Sequence, residues 1–107
     1  MTDDDLIEGF ETGTLPPAAF GHREHVQLAW VYLRRHGRAE AERRMLHGLR
    51  VFARRAGKPE KFDAPLTRAW VAAIADAAAA QTAPYSFEDL VRARPDLLAS
   101  RSVRVRG

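Results

Sequence analysis

The chain predicts a single all-α domain, a compact bundle of three main helices with short flanking helices. Alanine and arginine, both strong helix formers, are unusually frequent. Apolar residues recur at i, i+3, i+4 and i+7 through the long segments, and short glycine- and proline-containing breakers separate them. The chain of 107 residues suits one domain with a modest core. That domain is read as residues 1–100, followed by a loose basic tail over 101–107.

The first element is expected at residues 3–10, with Leu6, Ile7 and Phe10 on one side and Gly13 ending it. Thr14-Leu15-Pro16-Pro17 is a breaker, because consecutive prolines deny helical hydrogen bonds and restrict their neighbours. Residues 22–36 carry Val26, Ala29, Trp30 and Leu33 at helical spacing, and Gly37 is expected to stop them as a left-handed cap. A second long helix is expected over 39–56, with Met45, Leu49, Phe52 and Ala56 as its buried stripe, closed by Gly57-Lys58-Pro59.

The third long helix begins near Ala64 or Pro65 and carries Leu66, Trp70, Ala73, Ile74 and Ala77. Asp63 is placed to cap it, and a proline is tolerated just inside a helix start. The alanine run 77–80 reads as a face for close approach. Thr82-Ala83-Pro84 breaks the chain again, and Ser86-Phe87-Glu88-Asp89 resembles a capping sequence for a short helix to about Ala93. Residues 95–100 add another turn. The tail Arg101-Ser102-Val103-Arg104-Val105-Arg106 alternates like a strand but has no other strand to pair with, so it is read as loose.

Composition narrows the function classes. Cysteine is absent, which excludes a disulfide framework, a thiolate nucleophile and a cysteine metal site. No leader is expected from a start reading Thr2-Asp3-Asp4-Asp5, and no apolar run is long enough to span a bilayer. The expectation is therefore a soluble, cytoplasmic protein with no membrane partner. Residues 23–60 hold ten basic and four acidic side chains. The arginines fall in pairs (34–35, 43–44, 54–55) beside Glu40 and Glu42, a pattern that suits a solvated face better than a nucleic-acid surface. There is no glycine-rich phosphate loop, G-x-S-x-G elbow or H-E-x-x-H motif.

The chemistry is expected at His22 and His25. Side chains three apart share a helix face, so both imidazoles should lie beside the apolar stripe. Such a pair can ligate an ion, move protons, or satisfy structural hydrogen bonds. A zinc or iron site needs further donors, and Asp63 would complete a two-histidine, one-carboxylate set if the third helix starts beside the second. Asp63 also serves as a plain helix cap. Trp30, Tyr32, Thr67 and Trp70 are candidates for the wall of a ligand pocket, although tryptophans on such stripes are commonly core. Thr67 donates either to a ligand or back to a backbone carbonyl.

The segment F-x-H-x-x-H-V-x-L-A-W-x-Y-L over residues 20–33 resembles a group of small helical bacterial proteins described as uncharacterised. The approach over residues 10–16 and the arginine- and alanine-rich helix ending in Phe52 are similar too, so the resemblance spans about residues 6–98. It implies an all-helical fold and marks the two histidines as a signature. It also implies histidine where Asp63 stands, threonine where Pro65 stands, and a longer C-terminus. The leading expectation is a protein that binds a divalent metal or a small molecule through His22 and His25. The rival is a helical interaction module, in one form a homodimer, whose histidines are structural.

Overall fold

The computed structural model describes residues 2–82 and 86–99. Five α-helices follow in order: α1 (Asp3–Thr12), α2 (His22–His36), α3 (Arg38–Arg55), α4 (Ala64–Ala79) and α5 (Phe87–Ala93). Short 3₁₀ turns lie at Pro17–Ala19, Pro59–Lys61 and Pro95–Leu98. No strand occurs among the described residues, and no helix there is long and apolar enough to cross a membrane. The all-α expectation therefore holds. The tail over 101–107, Ser100 and the Ala83-Pro84 part of the third breaker lie outside the described residues.

Helix α2 occupies the centre. Val26, Leu28, Ala29, Trp30, Val31 and Tyr32 are all buried, which covers its circumference rather than one stripe. It packs against α1, α3, α4 and the last 3₁₀ turn. Burying a large apolar side chain contributes roughly 1.5–3 kcal/mol, whereas an exposed ion pair adds about 0–1 kcal/mol. The surface pairs Arg35–Asp4, Arg68–Glu42 and Arg23–Glu88 therefore tune helix placement, and the apolar seam of α2 determines it. Two polar groups on α2 are matched inside this packing. Gln27 donates to Asp3, and the Tyr32 hydroxyl donates to Glu11 Oε2 at 2.7 Å.

The helix ends follow local chemistry. The Thr2 hydroxyl and the Asp5 carboxylate exchange hydrogen bonds with each other's backbone N–H, a reciprocal cap that starts α1. Asp63 Oδ1 accepts from the Leu66 N–H at 3.0 Å, and Ser86 Oγ accepts from the Asp89 N–H at 3.0 Å. Gly13 ends α1 in the left-handed region at φ 76°, ψ 18°. Gly37 departs from the expected left-handed cap. Its φ of 82° and ψ of 173° lie in an extended region open essentially to glycine alone, because the chain must turn directly from α2 into α3 with no intervening loop.

The α3 stripe also differs from expectation. Ala41, Met45 and Ala53 are buried, but Leu49, Phe52 and Ala56 are only half-buried. A close approach occurs at Gly48 of α3, whereas the alanine run on α4 ends in the exposed residues Ala79 and Ala80. A Cβ on Gly48 would overlap the Cε2 and Cζ atoms of Phe10, whose ring packs against Phe20 and Phe52. Gly48→Ala should therefore destabilise the fold by about 1–3 kcal/mol, although alanine is the better helix former. Urea denaturation measures this, and an unchanged or raised midpoint would show that the Phe10 ring yields freely.

Candidate ligand cavity

The open space between α2, α3 and α4 is a cavity of about 460 Å³. The first two turns of α2 contribute His22, His25, Val26 and Ala29. The C-terminal half of α3 contributes Leu49, Phe52 and Ala53, and the N-terminal half of α4 contributes Leu66, Thr67 and Trp70. The α3–α4 connection closes one side with Lys58, Lys61, Phe62 and Asp63. Leu49, Phe52, Phe62, Leu66 and Trp70 are half-buried for this reason: they face the cavity instead of interdigitating across it.

His22 is the first residue of α2. Its Nε2–H donates to the Leu97 carbonyl at 2.9 Å, across 75 positions of sequence. The ring meets Trp70 edge-on at 4.6 Å between centroids. His25 lies one turn further on and packs edge-on against Phe20 at 4.1 Å. No described residue hydrogen-bonds its ring nitrogens, yet no sealed polar side-chain atom is left without a partner. The nitrogens are therefore not sealed, and the side chain that carries them lines the cavity. Burial, and then repulsion from His22, push the His25 imidazole down to about 4, with Glu24 pulling the other way. His25 is thus an uncharged ring at neutral pH.

Of the candidates read from the sequence, the fold brings His22, His25, Asp63, Thr67 and Trp70 to the cavity wall, while Trp30 and Tyr32 do not line it. Those two face other contacts because α2 is buried on all sides. The Trp30 indole N–H donates to Gln81 Oε1 at 2.8 Å, and Gln81 in turn donates to the Ser86 carbonyl. Tyr32 is directed at Glu11, where burial and then the neighbouring carboxylate push its hydroxyl well above the ordinary phenol range. Thr67 donates back to the Asp63 carbonyl at 2.9 Å, which leaves its oxygen able only to accept.

The proposed metal set fares differently. Among the described residues no three histidine, aspartate or glutamate side chains cluster so as to hold an ion. Asp63 reaches the cavity as an exposed helix cap, one carboxylate oxygen bound to the Leu66 N–H. The sequence does not mark Lys58, Lys61 or Phe62 as site residues, and it places Leu49 and Phe52 in the core. An aromatic inside the lysine- and proline-containing connection at 58–62 was the available signal.

Comparison with known protein families, with curated proteins and with solved structures finds no match for this chain.

Two outcomes follow from the histidine geometry. The His25 ring should titrate near pH 4 by NMR. Because its folded value lies below the ordinary 6.5, its contribution to stability is complete above about pH 6.5 and is lost as pH falls towards 4. The loss is about 3 kcal/mol; His25→Gln should flatten that part of the pH–stability curve, and an equal slope in the variant would assign it elsewhere. Separately, His22→Ala removes the bond to Leu97 and should cost about 1–2 kcal/mol. Faster amide exchange at Leu97 and Ala99, with α3 unaltered, is the expected signature.

Proposed function

We propose that this protein binds a small, largely apolar molecule in the cavity between α2, α3 and α4, with the imidazoles of His22 and His25 turned towards it. The single observation behind this reading is His25, a mostly buried, uncharged ring that lines an apolar space and whose nitrogens bond no described residue. Apolar pockets with a few convergent polar groups and a shifted ionisation are the usual form of small-molecule sites, commonly about 300–1,000 Å³. A neutral imidazole supplies one donor and one acceptor, enough to orient a hydroxyl or carbonyl group.

The small molecule is preferred to a zinc or iron ion as occupant because, among the described residues, His22, His25 and Asp63 do not cluster so as to hold an ion. A second reading draws on His22, whose bond to Leu97 and contact with Trp70 suit a structural histidine in a helical interaction module. The two readings differ in one measurement. Titration with 1-octanol should give saturable NMR shifts at His25, Phe52, Thr67 and Trp70. Ala56→Trp, which places an indole in the cavity, should abolish those shifts while keeping the fold. Absence of saturable shifts in the wild type would leave the structural reading in place.

A further inference from the structure

Charge around the cavity is uneven in a way that selects among apolar ligands. Lys58 and Lys61 both line it, both are exposed, and neither forms an ion pair with a described residue. Most arginines of the bundle behave otherwise: Arg23, Arg35, Arg38, Arg43, Arg44, Arg68, Arg92 and Arg94 each meet an acidic side chain. Asp63 is the single acidic residue among the lining side chains, and one of its oxygens is engaged by the Leu66 N–H. A third cation stands just behind, with the Arg50 guanidinium over the Phe62 ring at 5.2 Å.

We infer that the natural ligand is an amphipathic anion, an apolar chain or ring bearing one carboxylate, with its head at Lys58 and Lys61 and its body against Phe52, Leu66 and Trp70. This inference rests on the cavity being a ligand site. The lysines sit on the short connection between two helices that also supply the apolar walls, so one rigid frame carries both halves of the recognition. An ionised head group disfavours entry into an apolar cavity unless it finds partners. A cation of the same shape meets two ammonium groups against the one carboxylate of Asp63. A carboxylate meets two unpaired ammonium groups at the rim, where it also keeps contact with water. The neutral His25 adds no charge deeper in, so the charge preference is set at the mouth.

The test is isothermal titration at neutral pH and low salt with octanoate, 1-octanol and octylamine, which share one chain and differ in head group. Octanoate should bind about tenfold more tightly than octylammonium, the sum of two rim pairings of ordinary strength. The Lys58→Gln/Lys61→Gln double variant should bring that ratio close to one, and added salt should narrow it in the wild type. Equal or tighter binding of octylammonium, or a ratio that the double variant leaves unchanged, would overturn the inference. Binding of octanol with no preference for octanoate would overturn it while leaving the cavity reading intact. Failure of all three ligands to bind would remove both.

Discussion

The all-round burial of the middle of α2 governs this structure. Six of the seven residues from Val26 to Tyr32 are buried, so α2 needs neighbours on every side. Helices α1, α3 and α4 and the last 3₁₀ turn supply them. That demand explains why the polar groups on α2 are matched internally, Gln27 by Asp3, Tyr32 by Glu11 and Trp30 by Gln81. It also explains why the bundle is assembled around the second helix in the chain instead of between two equivalent layers. An α-helix that is apolar all round belongs in an interior.

The cavity arises where that demand is met least fully, around the first turns of α2. There His22 and His25 take the places of apolar residues, and α3 and α4 present half-buried stripes with space between them. Wall atoms around an unfilled apolar space forgo dispersion contacts that a packed core would supply. A molecule that fills the space restores them, and its binding energy adds to the stability of the folded state. The histidines and the rim lysines then decide which molecule suits, since apolar walls discriminate weakly between ligands of similar size.

Much of this fold was legible in the sequence, because helix periodicity and capping chemistry are local. The starts of α2 and α4, the cap roles of Asp63 and Ser86, and the stop at Gly37 all follow from residue type and spacing. The all-round burial of α2 was also visible in retrospect, in the unbroken apolar run Leu28-Ala29-Trp30-Val31-Tyr32-Leu33. Trp30 on the stripe and Tyr32 off it were both candidates for the pocket wall, whereas burial around the middle of α2 sends them elsewhere. The half-burial of Leu49 and Phe52 was not legible, because periodicity marks a face as apolar without saying whether another face meets it. Gly48 was missed for a related reason: a mid-helix glycine reads as a local weakness until the ring lying over it, Phe10, is known.

The bond from His22 to the Leu97 carbonyl has a consequence for the order of assembly. It joins the start of α2 to the last described turn across 75 positions of chain. Contacts of such long range form late, since closing a long loop must precede any reward from it. The contacts among α1 to α4, which include the cavity walls, close shorter loops than this one. The His22 ring is fixed only when the final turn docks against it. A folding chain would thus own an apolar recess before it owns a fully ordered histidine pair, and any ligand met at that stage would be held by shape and rim charge alone.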